Sequence, residues 1–396
     1  MRVTRVSPRR GNRDALMAML ASNQIDRRQF LKVMGGAGAF VMIGPSLLAA
    51  CAGGSGDEEL VIDNWILYID VDDDTGDYPS ILAFEEESGL SVTYNDGAVN
   101  SNEDWFAKYQ PQFAAGQSTG VDMVILTDYM AARMIRLDYA EKLDKANIPN
   151  ASNLASALQS PGFDPNRDYT LPWQSGFTVI GYDIDQTGRE LTSLFDLLDP
   201  QFAGKVGLLE GYADTVPFFL LMDGKDPATA SVDDYVAATV AIKDAIDSGQ
   251  IRSIYGNDYI DALLSGDLAV SMAWSGDIVA NQEASPNLRY VFPEEGFNLW
   301  TDNMMVPKGA ANKAGAEAWM NFFYQPEIAA QVAAYVWYVT PVEGALEAVT
   351  EIDPALAEEP LIFPTPEVLA NAHITRAFTE EEEDVVNEAV SAATGV

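Results

Sequence analysis

The apolar positions of this chain alternate between the period of a strand and that of a helix. Leu60–Tyr68 reads as a buried strand ending on Trp65 and Tyr68, and Tyr78–Ser88 as a helix with Ile81, Leu82 and Phe84 on one side, stopped by Gly89. Ser91–Tyr94 is a second strand. Asn102–Ala115 is helical, with Trp105, Phe106, Tyr109 and Phe113 at helical spacing and Pro111 expected to perturb it. Val121–Leu126 is a third strand and Tyr129–Leu137 a short helix. A second series follows: strand Phe177–Tyr182, helix Ser193–Leu198, strand Lys205–Leu209, helix Thr215–Met222, and a helix from Ser231 to Ser248 with Asp234 as its capping-box partner. Helix Asp258–Leu264, strands Leu268–Trp274 and Asn303–Val306, and helices Lys313–Tyr324 and Glu327–Val336 complete the pattern. The alternation predicts an α/β layer fold with mainly parallel strands. The acidic run Glu380–Asp384 reads as a solvated helix face, and no internal repeat is present.

The first fifty-one residues have a different character. Arg27-Arg28-Gln29-Phe30-Leu31-Lys32 forms a twin-arginine export signal, although Asp26 stands where such signals usually carry Ser or Thr. An apolar, glycine-containing run from Val33 to Ala50 leads into Leu48-Ala49-Ala50-Cys51, which resembles a lipoprotein cleavage box. A membrane anchor is the competing reading of that run, but it has only about the minimum length for a span and carries several glycines and a proline. The expected mature chain begins at Cys51, with a diacylglycerol on its thiol. It is extracytoplasmic, in a periplasm or at a cell surface, and tethered to the membrane. Residues 1–50 are then the signal peptide and 51–57 a flexible Gly/Ser/Asp linker.

Charge narrows the functions. The chain holds 23 basic and 60 acidic residues; residues 1–50 take eight of the former and two of the latter, leaving 15 against 58 and a net charge near −43. Nucleic acid is excluded as a partner, because its binding needs clustered Lys and Arg. A solvated acidic surface suited to a salty medium accounts for most of the excess, and only a few carboxylates can line a site for a cation. Cys51 is the one cysteine and His373 the one histidine. No disulfide, no His/Cys metal site and no Ser–His–Asp triad away from His373 can be built. The ~345 residues after Cys51 exceed one ordinary core and predict two domains.

Asn64-Trp65…Tyr68, Asp122-Met123-Val124-Ile125, Ser193-Leu194-Phe195-Asp196-Leu197…Gly204-Lys205, Met272-Ala273-Trp274, Trp300-Thr301-Asp302 and Thr340-Pro341 occur in this order. The order resembles the spermidine/putrescine-binding proteins of bacterial ABC importers (type II periplasmic solute-binding proteins) over residues 58–375. The resemblance implies two α/β lobes joined by hinge strands with the ligand in the cleft between them. Lobe one is expected at 58–175 plus 301–345 and lobe two at 176–300 plus 346–396, closing as a hinge on the ligand. It further implies a monomeric binding protein, not an enzyme, without cofactor or metal, that delivers a small cationic ligand to the transmembrane subunits of an ABC permease.

A polyamine site needs aromatic walls for methylene stems and cation faces, and carboxylates at the nitrogens. The family's aromatic cage maps onto Trp65, Tyr68, Tyr129, Trp274, Trp300 and Tyr338, its principal acid onto Asp302, a second acid onto Asp214 and a hydroxyl onto Thr127. Each ring has a plainer role as core, and Asp214 a plainer one as a helix N-terminal acid. Either Trp337 or Tyr338 could face the cleft. Ile66 and Leu67 replace a frequent acid, Gly211 stands where an acidic partner of Asp214 is expected although Glu210 is adjacent, and Thr375 replaces a glutamine. One end of the site is therefore expected to be poorer in polar groups. That suits a shorter diamine, a more hydrophobic amine or another cationic metabolite, with one cationic head favoured over two.

Two other functions compete. A binding protein of the same fold could take an opine, a phosphonate or ferric iron, the last through Tyr335 and Tyr338; anions are disfavoured because the mapped site offers no Arg or Lys. A carboxylate-based extracellular hydrolase such as a glycosidase would use a pair of acids, but no distinctive acid/base motif is present.

Overall fold

The computed structural model of the chain describes residues 59–395 apart from Asp73, Glu283 and Asp353. The expected signal, linker and Cys51 lie outside the described residues.

The chain begins in a parallel block. β1 (Glu59–Trp65) pairs with β2 (Ser91–Val99) on one side and β3 (Met123–Thr127) on the other. Central β3 is buried along almost its whole length and reads as a continuous apolar run, whereas β2, at the edge of the sheet, carries Thr93, Asn95 and Asp96. The helix Pro79–Ser88 opens on proline at its first position and ends where Gly89 takes φ 74°. Ile81 and Phe84 of this helix are buried, but Leu82 is half exposed and faces away from them. The helix Asn102–Ala114 buries Trp105, Phe106, Tyr109 and Phe113. Pro111 falls in its last turn, and the helix runs past it to Ala114.

Two long antiparallel strands then tie this block to a second one. β4 (Thr170–Asp183) pairs with β9 (Phe297–Met305) from Thr170↔Met305 to Thr178↔Asn298. The last four residues of β9 also pair with β3, while the end of β4 pairs with β7 (Val270–Trp274) and β8 (Leu288–Val291). In the second block β5 (Val206–Leu209) is parallel to β6 (Ile251–Tyr255) and β7. The sheet order is β2-β1-β3-β9-β4-β7-β5-β6. The strands within each block are parallel, as expected, and those that join the blocks are antiparallel.

Each block has its own core. Ile62, Ile125, Trp173, Trp319 and Phe323 belong to the first. Leu208, Phe218, Tyr259 and Met272 belong to the second. The fold is thus two-lobed. The segment after residue 345, expected in lobe two, instead gives Val349, Leu356 and Ile362 to the first core. The chain returns to the second lobe afterwards, where β10 (Ala372–His373) pairs with the start of β9 and Phe378, Val386 and Val390 join the second core.

Other elements differ from their sequence expectations. Leu194–Leu198 is a tight 3₁₀ turn closed by a Ser193/Asp196 capping box, cut short before Pro200. The C-terminal helix Glu380–Thr394 is not a wholly solvated acidic face: Glu383 is buried.

Candidate functional site: an acidic aromatic cleft

β9 forms the floor of a cavity between the lobes. Asn298, Trp300 and Asp302 alternate along it, so all three project to the same side. The cavity encloses about 220 Å³. All nine residues expected at the site line it: Trp65, Tyr68, Thr127, Tyr129, Asp214, Trp274, Trp300, Asp302 and Tyr338. They come from both lobes and from the joining strand: Trp300 and Asp302 lie within β9, Tyr338 follows the helix Pro326–Val336, and the other six lie at or shortly beyond the ends of β1, β3, β5 and β7. That is where clefts open in such sheets.

Asp302 is the best-defined group. Tyr68 Oη donates to Oδ2 at 2.9 Å and Thr127 Oγ1 to Oδ1 at 2.7 Å. Asn102 Nδ2 in turn donates to the Thr127 hydroxyl at 2.9 Å. Burial pushes the Asp302 carboxyl up to about 7; the two hydroxyl donors oppose that rise, and the charges of Asp128 and Asp214 add to it. No cation in the described residues pairs with it. Asp214, in the first turn of the helix Tyr212–Met222, accepts from the Thr178 hydroxyl and from the Trp274 side chain. Burial likewise lifts it, to about 6.

Three rings make a corner above Asp302. Tyr338 meets Tyr68 edge-on at 5.5 Å and Trp300 at 5.3 Å. Trp337 takes φ 62° at the end of the helix Pro326–Val336 and turns into the first core, which leaves Tyr338 as the cleft-facing ring. Trp65 is oriented by a hydrogen bond from Nε1 to the Ile125 carbonyl at 3.1 Å. Tyr129 donates to Glu103 at 2.9 Å and meets Tyr212 of the second lobe at 5.3 Å.

Ile66 and Leu67 line the cavity as apolar groups, Leu67 with φ 60° on the turn after β1. The Asp214 end is not short of acid, contrary to expectation. Glu210 lines the same cavity, and its charge contributes to raising Asp214. Asp261 and Asp277 also reach the wall, making five carboxylates in a lining without Arg, Lys or His. Thr375 is not in the wall; its hydroxyl lies behind Asn298, 3.4 Å from Oδ1, while Asn298 Nδ2 donates to the Ala213 carbonyl at 3.0 Å. Asn298, Asn102, Asp261 and Asp277 carried no sequence expectation. Counting back by two from Asp302 finds Asn298 once the strand is traced to Phe297. Among the described residues no cluster of three or more His, Cys, Asp or Glu could hold a metal.

Comparison with known proteins agrees with this architecture. The chain is 27% identical over 310 residues to the spermidine/putrescine-binding periplasmic protein of Escherichia coli K12, covering 78% of this chain and 84% of that one. It is 28% identical over 353 residues to the putrescine-binding periplasmic protein PotF of the same organism, covering 84% and 89%. The crystal structure of the spermidine/putrescine ABC transporter substrate-binding protein PotD from Streptococcus pneumoniae superposes with a TM-score of 0.66 at 26% identity, covering 84% of this chain and 97% of that one. These relatives are binding proteins. A family model for bacterial extracellular solute-binding proteins matches residues 80–364. With its two cores, its antiparallel joining strands and its cleft at their crossing, the chain belongs to the bacterial extracellular solute-binding proteins.

Proposed function

We propose that this chain captures a linear polyamine of the spermidine or putrescine type and delivers it to the membrane subunits of an ABC importer. One observation carries the reading: Asp302 is a buried carboxylate with no cationic partner among the described residues, set in a corner of three aromatic rings within a lining whose charged side chains are all acidic. A carboxylate so placed is costly until a cation arrives. An ammonium group supplies that cation, and the polymethylene stem lies against ring faces. Each hydrogen bond to a charged group contributes about 1.5–3 kcal/mol and each cation–ring contact about 0.5–2 kcal/mol. After the cost of association, a few such contacts support binding near −8 kcal/mol, about micromolar.

The phenols argue against ferric iron. Tyr338, one of the two phenols a ferric site would use, is packed edge-on against Tyr68 and Trp300 as part of an aromatic wall, which favours an amine over a hard metal ion. The acid of Glu210 beside Asp214 offers a second nitrogen a partner, so a ligand with two cationic ends fits better than one with a single head.

β4 and β9, which run through both lobes, act as the hinge on which the cleft closes. Cys51 bears the lipid that holds the protein at the membrane, and a Cys51→Ala chain is then released in soluble form. Titration calorimetry of the purified protein with putrescine, spermidine and butylamine tests the ligand class. Saturable heat with the di- and triamine and little with the monoamine is expected. No heat and no thermal shift with any amine at any salt concentration would remove it.

A further inference from the structure

Gly176 and Gly276 have no conformational reason to be glycine. Neither has positive φ, so any residue could adopt their backbone. Gly176 lies inside β4, where glycine weakens a strand and marks a close approach by another group. Gly276 lies in the first turn of the helix Ser275–Gln282. What each lacks is room.

A Cβ at Gly176 would stand 2.3 Å from Trp300 Cζ2, 2.5 Å from Cη2 and 2.9 Å from Tyr338 Cδ1. A Cβ at Gly276 would stand 2.7 Å from Tyr338 Cζ and 2.9 Å from Cε1. Other strand glycines with crowded surroundings, Gly181 and Gly207, meet core or buried strand side chains, chiefly Ile278, Ala273, Leu268 and Ser271. Gly176 and Gly276 are set against the rings that wall the cleft.

We propose that Gly176 and Gly276 determine the specificity of the site, as bare-backbone seats that hold Trp300 and Tyr338 back from the cavity. The proposal rests on the amine reading and deepens it: the seats keep the slot wide enough for a polymethylene ammonium chain between ring faces. The two seats act differently. Gly176 and Trp300 lie on the paired strands β4 and β9, so a methyl at 176 pushes the indole edge directly into the cavity. Tyr338 follows a helix packed in the first core, whereas Gly276 opens a helix of the second lobe. A methyl at 276 therefore obstructs the closed arrangement as well as moving the ring.

The test is a double-variant calorimetric titration with putrescine and spermidine. Gly176→Ala and Gly276→Ala are each expected to weaken binding about tenfold or more. In a Tyr338→Ala background, Gly276→Ala is expected to change the dissociation constant by less than about twofold, because the ring it obstructs is gone. Near-UV circular dichroism of the ligand-free variants supplies a readout independent of the ligand, since displaced Trp300 and Tyr338 rings alter the aromatic signal. Wild-type affinity in both glycine variants overturns the proposal. So does a Gly276→Ala penalty that persists without Tyr338. If the wild-type protein itself takes up no amine, the ligand class fails; an unchanged aromatic signal in the variants would then separately refute the seats.

Discussion

Glu383, on the C-terminal helix of the second lobe, accepts a hydrogen bond from Arg136 Nη2 at 2.7 Å, and Arg136 belongs to the first lobe. Arg133, one turn earlier on the helix Asp128–Arg136, reaches the same carboxylate at 2.8 Å. Arg136 also donates to the Phe378 carbonyl at 3.0 Å. Basic residues are scarce in this chain, yet two converge on one buried acid across the cleft. Breaking one side of a buried pair leaves the other charge uncompensated, at a cost of about 3–5 kcal/mol. Glu383→Gln is expected to favour the open form and to weaken amine binding at least about tenfold. Small-angle scattering of the ligand-free variant should give a larger radius of gyration. Unchanged affinity together with an unchanged radius would show that these contacts do not help to hold the lobes together.

The raised carboxyls at about 7 for Asp302 and about 6 for Asp214 set the pH dependence of binding. An ammonium ligand needs both ionised. Affinity is expected to climb as pH passes through 6 and then 7, and to level off near about pH 8, below the range where amines lose their charge. Stability of the free protein moves the other way. Both groups hold protons more tightly folded than unfolded, so the folded state loses stability as pH rises from about 4 to about 7. The thermal shift given by spermidine should therefore be larger at about pH 8 than at about pH 5.5. An affinity that stays flat across that interval would contradict the assignment.

Asp302→Asn preserves the shape of the side chain and removes its charge. The loss of a charge-assisted hydrogen bond predicts weaker amine binding by about 1.5–3 kcal/mol, roughly ten- to a hundredfold. The same change relieves a buried carboxylate that has no cation. The ligand-free variant is thus expected to melt higher than the wild type near about pH 8, where the native acid is ionised. Calorimetry and thermal melts on one preparation check both signs. A variant that loses stability at that pH would place the role of Asp302 in the fold rather than in the cleft.

The strands that make the site are the hardest to see in the sequence, for a physical reason. β1, β3 and the second half of β4 are buried on both faces and read as apolar runs. β9 from Phe297 to Asp302, and β4 from Thr170 to Gly176, carry Asn298, Thr301, Asp302, Gln174 and Ser175, which interrupt that signal. Those residues are polar because the strands cross between lobes beneath a cleft. β6 escapes the pattern because it is an edge strand with Arg252 and Ser253 exposed. The nine expected cleft residues come from a colinear resemblance rather than from periodicity, and one cavity gathers all of them. Glu383 is hidden within an acidic run whose neighbours are mostly solvated; nothing local distinguishes the one acid that meets Arg133 and Arg136.

The acidity of the chain should act on capture rather than on retention. Five carboxylates line the cavity without a basic residue, and the whole chain carries a formal charge of −37. Such a field concentrates cations near the mouth and speeds encounter, an effect that salt screens over about 8–10 Å. Inside the closed cleft, the buried Asp302 and Asp214 are screened far less. Raising salt from about 0.05 to about 0.5 M is therefore expected to slow association of spermidine more than that of putrescine, with dissociation nearly constant. Stopped-flow tryptophan fluorescence can follow both rates through Trp65, Trp274 and Trp300, which line the cavity. Equal salt effects on the two amines, or an effect confined to dissociation, would assign the surface charge to solubility alone.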